Sequence, residues 1–174
     1  TERGAGKYLI SNNNAAQSAT DSVALTSFNS NGFSLGADNA SGLINYGSRV
    51  YASWSFRKAP GFFDIVTYTG NGSTSSRTLS HNLGSTPGHI IFKKTSSGTQ
   101  NWYNMAKDGT NYRALSLNDA GGSFGSTAQS NVANGTTLDV GYLQGWGGFA
   151  NDSGATYVAY IFAHDAQEFG TDSD

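Results

Sequence analysis

Along this chain short runs of alternating apolar and polar residues recur about every 10 residues, with no helical period between them. Alternation places successive side chains on opposite faces of an extended backbone, so each run reads as a β-strand half-buried in a sheet. The runs are Lys7–Ser11, Val23–Phe28, Gly32–Leu35, Val50–Phe56, Phe63–Thr69, Arg77–Leu79, His89–Lys94, Asn101–Met105, Tyr112–Leu117 and Thr156–Phe162. Asn29-Ser30-Asn31-Gly32 carries an Asn-Gly hairpin signal, and the polar stretches Asn12–Asp21 and Ala37–Ser48 read as loops. Together these elements predict an all-β protein, an antiparallel β-sandwich or jelly-roll-like module with little or no helix. Trp54 and Trp102, inside strand runs, are expected in the core.

The pattern also repeats. Val50-Tyr51-Ala52-Ser53-Trp54-Ser55-Phe56 matches Thr156-Tyr157-Val158-Ala159-Tyr160-Ile161-Phe162, aromatic for aromatic at three positions. Upstream, Lys7–Ala15 aligns without a gap on Tyr112–Ala120, and at the same offset Gly32–Gly36 falls on Thr137–Gly141; one inserted residue then brings the aromatic runs into register. Matches in a constant order indicate an internal repeat. On this reading residues 1–58 are the second half of an upstream copy, 59–164 are one complete copy, and 165–174 begin a following copy or a linker, Glu168-Phe169 mirroring Phe62-Phe63. Arg57-Lys58-Ala59-Pro60-Gly61 marks the boundary, since proline cannot donate to a sheet. The chain is then expected to be a window on a longer array, and the strands missing from the half copy leave edges that another element must cover.

Composition narrows the classes. Of 174 residues 37% are hydrophobic and 13% charged, so Ser, Thr, Asn and Gly carry the solubility. With 23 glycines against 2 prolines, many short strands joined by tight turns fit better than a helical fold. Aromatics at 13%, spaced as in strands, set the chain apart from disordered Gly/Ser-rich sequences. A net charge of −2 without a basic run argues against a nucleic-acid partner. No apolar stretch approaches the roughly 20 residues of a membrane-spanning helix. Cysteine is absent, which excludes disulfides and thiolate metal sites.

Candidate chemistry is sparse. His81, His89 and His164 lack metal-ligand spacing, and His81 between Leu79 and Leu83 suits a turn-ordering hydrogen bond. Asp64, Asp108, Asp119, Asp139 and Asp152 precede strands or sit in Gly/Asn-rich turns, where Asx hydrogen bonds are the ordinary role; a glycosidase needs two of them facing across a sugar. Calcium is the one metal considered, among Asn12, Asn13 and Asn14 or around Asn151-Asp152, although no EF-hand loop occurs; no other cofactor is expected. Gly145-Trp146-Gly147-Gly148-Phe149 lacks the Lys-Ser/Thr of a phosphate loop. Its glycines suggest a flexible loop with Trp146 at the tip and Tyr142, Phe149, Asn151 and Asp152 nearby, a candidate contact for a glycan or a neighbouring subunit. The plainer reading packs Trp146 at the sandwich edge or inside.

Ile65-Val66-Thr67-Tyr68-Thr69-Gly70-Asn71-Gly72, Leu79–Gly84 through Pro87, His89–Lys93, Asn101-Trp102 and Thr156–Ala163 together resemble a tandem repeat domain of bacteriophage virion proteins. Such proteins are common in phages of marine bacteria and are usually called structural or tail proteins. The resemblance covers the complete copy and, more weakly, the half copy before it. It implies a virion structural protein: a module of a tail fibre or other external appendage, located on the virion exterior. Its implied partners are further copies of itself, with a trimer suiting a fibre, other virion proteins and host-surface glycans. No catalytic residue is carried over, and no enzyme activity is expected. Two alternatives stay open: a polysaccharide-degrading tail-spike enzyme, and a bacterial surface adhesin or filament subunit.

Overall fold

The computed structural model describes residues 2–19, 23–37, 44–119 and 123–164; the side chains of residues 123–128, 146 and 147 stand outside it. The expected third copy at Glu168-Phe169 also lies outside the described residues. Four short strands come first: β1 (Lys7–Tyr8), β2 (Ser18–Ala19), β3 (Leu25–Asn29) and β4 (Gly32–Leu35). They pair locally, β1 with β2 and β3 with β4, and Asn29 opposite Gly32 closes the expected hairpin. Then follow β5 (Phe63–Thr69), β6 (Thr78–Ser80), β7 (Pro87–Lys94), β8 (Tyr103–Asp108), β9 (Asn111–Ser116), β10 (Ser123–Gln129), β11 (Thr137–Asp139), α1 (Val140–Gly147) and β12 (Thr156–Ala163).

The fold is all-β and antiparallel. Its main sheet has six strands in the order β10-β9-β8-β7-β12-β5. β12, the last strand among the described residues, enters between β7 and β5. Alternation then assigns the faces. Ile90, Phe92, Met105, Tyr112, Ala114, Ala159 and Ile161 point to one side and are buried. Against them lies a second layer made by the β6–β11 ribbon, α1 and the adjoining loops, which contributes Leu83, Val132, Leu138, Val140, Leu143 and Phe149.

The N-terminal residues lie across the other face. Arg3 Nη2 donates to the Tyr160 hydroxyl (3.2 Å), the Trp102 indole to the Ile10 carbonyl (2.9 Å) and the Gln100 amide to the Asn14 carbonyl (3.0 Å). Lys93, 1% exposed, donates its ammonium to the carbonyls of Asn14 and Gln100. Trp102 is buried as expected, though it precedes β8 rather than lying within it.

Three expectations are corrected. Val50–Phe56 belongs to no strand, and Val50, Trp54 and Phe56 are 98%, 81% and 56% exposed, so Trp54 is not a core residue. Its counterpart β12 is a strand because β5 and β7 flank it, and no sequence like theirs occurs among residues 1–49. Second, the Gly145–Phe149 run is no loop. α1 reaches Gly147, caps at Gly148 in the left-handed region (φ 68°), and buries Phe149. Third, two strands arise that alternation misses, β10 and β11; the latter pairs with β6 in the ribbon beneath the sheet.

Glycine explains α1. Gly141 and Gly145 lie four residues apart on one helix face, against the Ser73–Arg77 segment. A Cβ on Gly141 would sit 1.9 Å from the Ser75 carbonyl oxygen, and one on Gly145 3.0 Å from that of Thr74. Those glycines serve close approach rather than flexibility.

Candidate functional site

The residues that the sequence groups around Trp146 do converge, but they build a structural joint. Asn151, fully buried, donates through Nδ2 to Asn71 Oδ1 (2.8 Å) and the Ser73 carbonyl (2.9 Å). Its Oδ1 accepts from the Asn71 amide (3.0 Å) and the Arg77 guanidinium. Phe149 is 1% exposed and stacks on Tyr103 with centroids 4.2 Å apart. Tyr142 is half-buried and its hydroxyl donates to Gln129. Asp152 accepts from Gln144 Nε2 (2.9 Å) and pairs with Lys94 (3.2 Å). Phe149 and Asn151 therefore cannot touch a glycan from where they sit; both are interior because α1 turns the chain inward at Gly148. The Trp146 side chain lies outside the described residues.

The joint ties the segment after β5 to the segment that leads into β12. Gly70 and Gly72 donate backbone hydrogen bonds to Ala155 and Asn151, and Gly154 donates to Gly70. A Cβ on Gly70 would meet the Asp152 carbonyl oxygen at 2.1 Å, which explains a glycine in Thr69-Gly70-Asn71-Gly72 beyond any turn requirement. Beside it Tyr68 and Tyr157 stack at 5.2 Å, and the Tyr68 hydroxyl donates to the Ala150 carbonyl (2.6 Å).

The acids likewise have structural partners. Asp139 caps α1, accepting from the Tyr142 amide (2.9 Å), the Arg77 amide (3.0 Å) and the Ser76 hydroxyl (2.5 Å). Burial works to raise its carboxyl, and these hydrogen bonds outweigh it, holding the group below its ordinary range. The same contest, with the same outcome, holds Asp152 down through Gln144 and Lys94. It also holds down Asp64, which is 3% exposed, through the Asn82 amide (2.7 Å), Lys58 (3.0 Å) and the Ile65 amide. His81 orders its turn: Nδ1 accepts from the Leu83 amide (3.3 Å) and Nε2 faces the Asn134 carbonyl (3.1 Å). Burial lowers its pKa.

At the places considered for calcium, several oxygens already serve hydrogen bonds within the fold. Asn13 Oδ1 accepts from the Ala15 amide, the Asn14 carbonyl holds Lys93, and Asn151 is fully engaged. Among the described residues no three His, Asp or Glu side chains gather as a metal site, and no helix is long and apolar enough to cross a membrane.

What the surface does offer is aromatic. Val50, Tyr51, Trp54 and Phe56 are exposed together. Phe56 turns partly back toward the sheet, 5.7 Å from Phe63 and 6.0 Å from Phe162. It borders a groove of about 440 Å³ lined by Arg3, Leu25, Phe28, Ile65 and Tyr160. Exposed large aromatics grouped in this way stand apart from singly scattered surface apolar residues. Alternation had pointed to burial here, and the missing flanking strands were the signal against it.

An all-β, two-layer domain with an exposed aromatic segment is the class that fold and surface define. The chain belongs to the family described as Domain of unknown function (DUF7483), whose model matches residues 1–170. No curated protein and no solved structure matches it.

Proposed function

We propose that this chain is a structural and assembly module of a bacteriophage virion, one repeat unit of a tail fibre or other external appendage, acting by contact rather than catalysis. The exposed aromatic segment Val50–Phe56 carries the reading: a sequence made for the centre of a sheet, held in solvent, is of use to a protein that assembles. Support also comes from the internal repeat, from the phage-protein resemblance of Ile65–Gly72 and Thr156–Ala163, and from the structural engagement of Asp64, Asp139 and Asp152. Weak surface charge suits saline surroundings, where ionic contacts are screened within ~10 Å.

Immunogold electron microscopy with antibodies raised against the chain tests this. Gold on an appendage of phage particles is the expected result. Label on the bacterial envelope without particles would instead establish an adhesin or filament subunit. Release of reducing sugar from host polysaccharide by the purified chain would establish the spike enzyme.

A further inference from the structure

We propose that the groove beside Phe56 binds a glycan that carries a carboxylate, an inference that rests on the contact-module reading above and names its ligand. Two depressions meet on the outer face of β5 and β12. The groove of about 440 Å³ presents the apolar surface of Leu25, Phe28, Phe56, Ile65 and Tyr160. A second, of about 390 Å³, is lined by Gln17, Thr67, Thr69, Thr95 and Thr156. Glu2, Arg3 and Lys7 line both. The two therefore form one trough with charge at its centre, rings at one end and hydroxyls at the other. Each volume falls in the ~300–1,000 Å³ range of small-molecule sites.

Charge decides the ligand. In a chain of net charge −2, four of the 10 Lys and Arg residues line the groove: Arg3, Lys7, Arg57 and Lys58. Lys58 is engaged inside the fold, paired with Glu2 at 2.7 Å and with Asp64 at 3.0 Å, and so neutralises the acid of the lining. Arg3 donates to neutral oxygens, Gln17 Oε1 (2.6 Å) and the Tyr160 hydroxyl. Among the described residues no carboxylate lies within ion-pair distance of Arg3, Lys7 or Arg57. Three cations gathered without matching anions favour an anionic ligand, and a guanidinium can hold a carboxylate through two parallel hydrogen bonds. The surroundings select the rest of it. A pyranose ring packs its C–H face on exposed aromatic rings such as Phe28 and Phe56, and its hydroxyls match those of the exposed Thr67, Thr69 and Thr156. A nucleic-acid strand instead needs cations along its whole path, and the threonine end of the trough has none beyond Arg3 and Lys7.

Calorimetric titration of the full chain with tetramers of galacturonate, glucuronate and mannuronate, and with the carboxyl-reduced form of each, tests the site. At least one uronate should saturate it and bind at least about tenfold more tightly than its reduced form. Lys7→Gln combined with Arg57→Gln should weaken that binding about tenfold or more. The same double variant should keep the thermal unfolding midpoint, since neither side chain has an ion pair to lose. Phe28→Ala should weaken a uronate and its reduced form alike, because ring packing does not depend on the carboxylate. Absence of binding by all three uronates, equal binding of acid and reduced forms, or undiminished binding by the double variant overturns the proposal. So does tighter binding of a polyglutamate peptide or an oligothymidylate, which would make a different macromolecule the ligand. Gold labelling of a virion appendage alongside any of these failures would leave the functional reading standing and remove only this ligand.

Discussion

Ionisable groups here are committed to holding the fold, and their titration should show it. Asp64, Asp139 and Asp152 have carboxyls held below the ordinary 3.8, so their stabilisation is complete above that value and is lost as pH falls through the lower folded values. His81 acts earlier. Its folded pKa lies below 6.5, so the unfolded chain takes up the proton first and stability declines as pH drops under 6.5. Urea unfolding should therefore show a lower midpoint at about pH 5.5 than at about pH 7.5, and His81→Gln should reduce that difference. An equal slope in the variant would detach the effect from His81. Glycines give a second test. Gly70→Ala and Gly141→Ala each drive a Cβ into a backbone oxygen and should cost about 1–3 kcal/mol or more, while Gly135→Ala, with open space around it, should be close to neutral. Thermal unfolding of the three variants separates them.

At the scale of elements, alternation located strands where a sheet face supplies the period. β5, β7, β9 and β12 fall within a residue or two of the expected bounds, because each buries alternate side chains on the core layer. It misled where partners decide. Val50–Phe56 has the composition of a central strand and no flanking strands, and no local pattern reports what is missing. α1 was hidden for a related reason: Gly145 and Gly147 read as loop residues until Thr74 is seen pressed against Gly145, as Ser75 is against Gly141. The spacing of Gly141 and Gly145, with Asp139 ahead as a cap, was the available signal. The candidate site was legible as a cluster and wrong as a surface, since the sequence places Asn151 near Tyr142 and Phe149 without saying which of them face inward. Lys93 tests how the N-terminal segment is held. Lys93→Ala leaves the Asn14 and Gln100 carbonyls without their cation and should cost about 2–4 kcal/mol. Protease cleavage should then appear first between residues 9 and 17; unchanged resistance there would contradict the role given to this lysine.

For the molecule as a whole, the order β10-β9-β8-β7-β12-β5 makes the main sheet continuous only with β12 in place between β7 and β5. Trp54, at 81% exposure, then contributes little to this chain's own stability. Trp54→Ser should shift the unfolding free energy by no more than about 0.5 kcal/mol, whereas a core tryptophan would cost several times that. The most direct test of the proposed function compares hydroxyl-radical oxidation of Tyr51 and Trp54 in the isolated chain and in the virion appendage proposed to contain it. Ready oxidation in isolation and strong protection in the assembly is the predicted result. Equal oxidation in both states would contradict the proposed role of this segment as a contact surface.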